Sequence, residues 1–180
     1  MARALIIIAP GFTDSEFTYA LDRCREEDIL THVATLDGKN AIGEKGWTAK
    51  ANLSTADAYD IASGSMYDIL ILPGGVKSIE KVRQDAATLE IIKLHYAHGK
   101  IIATMCHGSQ LLIETGLVKG RKVSGYYSIK TDIINAGGEY IAGVAQDGNI
   151  ISAPHYDLNG KWMKAVIQAW QWQEKLHQTP

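Results

Sequence analysis

The sequence predicts an open, doubly wound α/β sheet, and three observations carry that prediction. Apolar runs of strand length, ALIIIA at 4–9 and YDILIL at 67–72, recur between stretches with helical spacing. That alternation is expected of parallel strands buried on both faces and joined by crossover helices. Both runs end in turn signals, Pro10-Gly11 and Pro73-Gly74-Gly75. A further strand, 100–105, passes directly through Cys106 and His107 into a helical segment at 108–116. A nucleophile at such a tight turn has elbow geometry, with its side chain held up at the carboxyl edge of the sheet.

The elements follow in order. After the first strand a helix is expected over 14–27, with Phe17, Leu21 and Cys24 on one stripe, so that Cys24 reads as a core thiol. THVATL at 31–36 is the second strand. Residues 37–65 are rich in Gly, Lys and Ala and predict no strong helix, only a hairpin around Gly46-Trp47 and a loop with lid or partner contacts. A helix over 86–98 follows YDILIL and stops at Gly99. Beyond the elbow come a strand at 121–125, a short helix at 128–136, and strands at 139–146 and 149–153 joined by an Asp147-Gly148 turn. The closing helix, 158–175, carries Met163, Val166, Ile167 and Trp170 on one stripe. Trp162 and Trp172 lie off it, where they cover either a subunit contact or the helix edge.

Composition bounds the function. The 180 residues fit a single domain spanning 1–180. Lys plus Arg number 18 against 20 for Asp plus Glu, a net charge of −2 that gives no electrostatic case for nucleic acid or an anionic membrane. No apolar run approaches spanning length, and the N-terminus leads straight into a strand rather than a secretory leader. Two cysteines, Cys24 and Cys106, argue for a reducing, cytoplasmic setting rather than a disulfide scaffold. No G-x-G-x-x-G follows a strand and no P-loop motif occurs, so no nucleotide cofactor is expected. His95 and His98 have ligand-like spacing but no third ligand nearby, and no metal is expected.

In a doubly wound sheet the ligand site lies outside the carboxyl ends of the strands. Glu16, Gly74-Gly75 and Cys106 all fall there. A helix N-terminus after Cys106 favours a thiolate with a lowered pKa. Gly108, two residues on, supplies the small residue that close packing of helix and strand demands. Gly74 and Gly75 offer bare backbone N–H groups for an oxyanion. Glu16 has two readings: the last residue of a Thr13-x-x-Glu16 capping box, or a protonated acid donating to the sulfur. His107 is either a base beside the nucleophile or a helix-start residue facing solvent.

GFTDSEFTYALDRCREE, ILPGG, EKVR, ATMCHGSQLLIETGLVKGRK and DIINAGGEY together resemble the ThiJ/PfpI superfamily, in particular its PfpI-type intracellular protease/amidase branch. The resemblance implies a flavodoxin-like three-layer sandwich with a mainly parallel sheet, a reactive Cys106 and a functional Glu16. It further implies that His107 pairs with an acid from a neighbouring subunit, which falls on Glu80, in a dimer or hexamer. Two departures stand out: Ser109 where the branch has Pro, and Ala153-Pro154-His155-Tyr156 where it has Arg-Thr-Pro-x. The altered loop makes His155 a candidate pocket residue and a substitute partner for His107. The expected activity is cofactor-independent attack by Cys106 on a small carbonyl or amide, of glyoxalase or peptidase type. The alternative is a stress protein, sensor or chaperone, that uses Cys106 as an oxidisable thiol.

Overall fold

In the computed structural model, which describes residues 1–178, strand and helix alternate as the patterning predicts. β1 (Arg3–Ile7) leads into α1 (Asp14–Glu26) and β2 (Leu30–Thr35). A hairpin of β3 (Ala41–Ile42) and β4 (Thr48–Ala49) precedes β5 (Leu53–Ser54), α2 (Thr55–Gly64) and β6 (Ile69–Leu72). α3 (Val76–Val82) and α4 (Ala86–Ala97) return the chain to β7 (Ile101–Met105), which runs into a 3-10 turn at Cys106–Ser109 and then α5 (Gln110–Glu114). β8 (Lys122–Val123), α6 (Lys130–Asn135), β9 (Glu139–Tyr140), β10 (Ala145–Asp147), β11 (Ile150–Ala153) and α7 (Asn159–Gln178) follow.

Seven strands form the main sheet in the order β10-β11-β7-β6-β1-β2-β5. All neighbours pair in parallel except β10 and β11. Strand alternation splits the core in two. Ile6, Ile71, Ala103 and Ile151 face Phe17, Met163 and Val166, whereas Leu5, Leu70, Ile102 and Ile150 face Ile91, Leu111 and Ala58. Each fully buried Ile or Leu contributes about 1.5–3 kcal/mol of transfer free energy. The resulting helix–sheet–helix sandwich is flavodoxin-like. Register then positions the site: Ile6 pairs with Ile71, and Leu72 with Thr104, so β1, β6 and β7 end side by side.

Three expectations are corrected or decided here. Residues 55–64 form α2, opened by a capping box in which Ser54 and Asp57 satisfy each other's backbone N–H. Its inward face is carried by Ala58 and Ala62, side chains too small to leave a strong apolar stripe in the sequence. Trp162 is fully buried in the core, against the alternative of a subunit contact, while Trp172 is 64% exposed. The expected strand at 139–146 divides into β9, paired with β8, and β10, paired with β11. Cys24 lies on the buried face of α1 as expected, with its thiol pKa pushed up to about 11 by burial.

Candidate active site

The site is assembled by the turns after β1, β6 and β7. Cys106 is the first residue after β7 and has φ +59°, in the left-handed region that costs a non-glycine residue about 1–3 kcal/mol. That conformation lifts the side chain off the strand axis. Gly108 makes it possible: a Cβ at that position would run into the carbonyl of Leu72 at the end of β6. The neighbouring turn is equally tight, since a Cβ on Gly74 would lie 2.7 Å from Cys106 Cβ and 2.9 Å from Glu16 Oε2. Gly75, at φ +101°, passes too close to Gly11 and Phe12 to carry a side chain.

Glu16 does not close a capping box. Thr13 makes no side-chain cap, and Glu16, on the first turn of α1, is fully buried. Its Oε2 accepts the Gly74 N–H at 2.6 Å, and Oε1 is buried without a regular hydrogen-bond partner. Burial raises its pKa from 4.5 to about 7, against the lowering effect of the Gly74 N–H and the Cys106 thiol. The carboxyl group is therefore partly protonated near neutrality and shares the pocket with sulfur. The Gly74 N–H, spent on Glu16, is not free for an oxyanion. The N–H groups that reach the sulfur are those of Gly75 and His107.

The expected lowering of the Cys106 pKa is not found in the single chain. Burial first, and then the Glu16 carboxylate, push the thiol up, outweighing the two N–H groups. The physical reason is that two anions in one dry pocket repel, so carboxyl and thiol hold at least one proton between them. A thiolate forms when that proton sits on Glu16. Cys106 is 7% exposed, so only a small electrophile reaches it directly.

His107 lies beside the sulfur, with Nδ1 3.4 Å from Sγ and Nε2 3.4 Å from Ser128 Oγ. Its ring stacks on Tyr126 at 4.9 Å between centroids, and burial lowers its pKa, keeping it neutral and able to accept a proton. Glu80, on α3, makes no hydrogen bond to it within the chain; it pairs with Arg83 at 3.2 Å, which also binds Glu114. Its charge nonetheless acts on His107, opposing the effect of burial. Within the chain His155 makes no hydrogen bond to His107 either; its Nδ1 faces Asp157 at 3.0 Å. It joins an aromatic cluster with Tyr126, Tyr127 and Tyr156 on the rim.

Sequence reasoning missed Tyr126, which stacks on the His107 imidazole, and Ser128, whose hydroxyl meets its Nε2. Both follow a strand of two residues, too short to announce a carboxyl edge. It also left Ser109 as a departure without a role. Ser109 Oγ donates to the Ser124 carbonyl at 2.6 Å and bonds Thr104 Oγ1 at 2.8 Å, tying the elbow to the segment that carries Tyr126. The backbone adds a second tie, Tyr126 N–H to the Cys106 carbonyl at 3.1 Å.

A cavity of about 1140 Å³ lies elsewhere, between α1, β2 and the β3–β4 hairpin, and is lined by none of these groups. Among the described residues no cluster of three His, Cys, Asp or Glu side chains could hold a metal ion, and no helix is long and apolar enough to cross a membrane.

An elbow cysteine, a buried acid after the first strand and a Cys-His-Gly turn coincide with a match of residues 2–169 to the DJ-1/PfpI family model. The chain belongs to the DJ-1/PfpI family. It is 36% identical over 167 residues to a deglycase of Thermococcus kodakarensis, spanning 92% of this chain and 98% of the relative. It is 35% identical, with the same coverage, to the deglycase PfpI of Pyrococcus furiosus. Among DJ-1/PfpI folds of known structure, DJ-1beta of Drosophila melanogaster superposes with a TM-score of 0.84 at 24% identity, covering 93% of this chain and 90% of that one.

Proposed function

We propose that the chain is a cofactor-independent enzyme that uses Cys106 to convert a small reactive carbonyl, of the α-oxoaldehyde type, by a glyoxalase-like route. The observation that carries this reading is the Glu16 carboxyl: buried, facing the sulfur, and titrating at about 7, where it can both give and take a proton. The deglycase names of the relatives point to the same broad class of substrate.

The steps follow from the geometry. The thiol proton passes to a base, and sulfur adds to the aldehyde carbon of methylglyoxal, giving a hemithioacetal whose oxygen is met by the N–H groups of Gly75 and His107. Glu16 or His107 removes the hydrogen from that carbon and returns a proton to the neighbouring one. The aldehyde carbon is thereby oxidised to a thioester and the ketone reduced to an alcohol, with no external oxidant. Water then cleaves the thioester, releasing lactate and the thiol. Peptide-amide hydrolysis would use the same nucleophile and N–H pair, but the nearly closed thiol favours a small substrate.

In this reading the enzyme works in a reducing cytoplasm as a homo-oligomer, and Glu80 of one subunit orients the His107 of another. Its exposed position in the second half of α3, and the action of its charge on His107, support that role. Lactate formation from methylglyoxal, measured alongside a panel of amides, nitriles and peroxide, tests the assignment. Turnover that is abolished in Cys106→Ala is expected. Full activity of that variant would overturn it, and fast oxidation of Cys106 with no turnover would favour a sensor.

A further inference from the structure

Beside Cys106 the structure presents rings where a substrate would extend. His107 touches the sulfur, and Tyr126 stacks on His107 with 28° between the planes. From Tyr126 the cluster continues to Tyr127 at 5.5 Å and His155 at 6.1 Å, and His155 lies 3.8 Å from Tyr156. Tyr127 and His155 are nearly parallel, with 29° between planes at 6.4 Å. The inner rings are held in place: Tyr126 by its backbone bond to Cys106, and His155 by Asp157. The outer two are open, Tyr127 at 58% and Tyr156 at 46% exposure. Large aromatic side chains left this open, and arranged continuously with a reactive group, are unusual on a surface that only needs to be wet.

We infer that Tyr127, His155 and Tyr156 form a stacking wall that selects carbonyl substrates bearing a planar aromatic group over those bearing an alkyl group. This rests on the carbonyl reading above. The rings run from the sulfur through His107 and Tyr126 to Tyr127 and His155, so a phenyl substituent on a carbonyl held at Sγ extends toward the wall and a methyl substituent does not. Offset stacking is worth about 0.5–1.5 kcal/mol per ring pair beyond area burial, or roughly 2- to 10-fold in affinity. The wall is made by the segment after β8 and by the loop before α7, both apart in sequence from the elbow that supplies the chemistry.

The test compares phenylglyoxal with methylglyoxal in the full-length protein and in Tyr127→Leu and Tyr156→Leu, neither of which touches the sulfur. The expected result is a loss of about 3- to 10-fold in kcat/KM for phenylglyoxal in each variant, with methylglyoxal changed less than 2-fold. Equal losses for both substrates, or none for either, would overturn the inference. A second measurement separates its failure from failure of the carbonyl reading. Benzamide and acetamide are titrated calorimetrically into Cys106→Ala with and without Tyr127→Leu. Benzamide binding that weakens with Tyr127→Leu supports the wall even if no aldehyde is turned over. Benzamide bound no better than acetamide overturns it. A change in sedimentation of Tyr127→Leu or Tyr156→Leu with unaltered benzamide binding also overturns it, assigning the rings to a subunit contact.

Discussion

Glu16 reaches from the first turn of α1 to the Gly74 N–H, 58 residues away in the chain, and holds it at 2.6 Å. The bond joins the turns after β1 and β6 and fixes the carboxyl next to sulfur. It also makes a buried acid a stability variable.

Glu16→Gln should separate proton transfer from architecture. The folded-state pKa, about 7, lies above the ordinary 4.5, so the protonated form is the one the fold favours. Its contribution is complete below about pH 4.5 and is lost as pH rises through 7, amounting to about 3 kcal/mol. Glutamine keeps an acceptor for Gly74 and carries no charge. Denaturation from pH 5 to 9 should show the wild type losing stability between about pH 5 and 7 and levelling off above, and the variant free of that loss. Activity should fall about 10²–10⁴-fold, because the amide exchanges no proton.

His95 predicts a slope of the opposite sign over much the same pH range. It is fully buried on α4, with Nδ1 2.8 Å from the Ile91 carbonyl and Nε2 unpartnered, and burial lowers its pKa to about 4. Its neutral form contributes fully above about pH 6.5, and that contribution, about 3 kcal/mol, fades as pH falls toward 4. His95→Leu should therefore flatten the acid side of the stability profile between pH 6.5 and 4, read by urea midpoints at a series of pH values. A wild-type acid slope in this variant would show that other groups set it.

Gly108→Ala should damage the elbow itself. The added Cβ meets the Leu72 carbonyl, a backbone atom that cannot turn aside. A loss of about 2 kcal/mol or more is expected, with strand β6 or the Cys106 turn displaced. Ser109→Ala is milder. It removes the bond to the buried Ser124 carbonyl and leaves Thr104 Oγ1 without its partner, at a cost of about 1–3 kcal/mol in chemical denaturation.

Mixing Cys106→Ala with Glu80→Ala subunits tests whether the acid acts between chains. Each variant alone should be inactive, and exchanged oligomers should regain part of the activity. Verified mixed oligomers with no recovery would leave Glu80 as the exposed partner of Arg83.

Much of this was legible in the sequence where one physical demand dominates. Continuous apolar runs found β1, β6 and β7, because a strand buried on both faces admits nothing else. Cys106, Gly108 and the Pro73-Gly74-Gly75 turn were readable for a related reason: tight approach of backbone leaves little choice of residue. Glu16 stayed ambiguous, since a cap and a buried acid occupy the same position on a helix and differ only in where the side chain turns. α2 was missed because Ala58 and Ala62 bury a face without an apolar pattern. Tyr126, Ser128 and the partners of Ser109 were invisible for a third reason. Their roles depend on the approach of a segment some twenty residues downstream of the elbow, fixed only by tertiary contacts.

The burial of Cys24 makes the chain its own counting device. Of two thiols, Cys24 is fully enclosed whereas Cys106 is partly exposed at the elbow, so a small alkylating reagent has access to a single sulfur per chain. The stoichiometry of adduct formation by mass spectrometry then equals the fraction of intact elbows. Preparations of different age or oxidation state can be normalised to it without knowing the natural substrate.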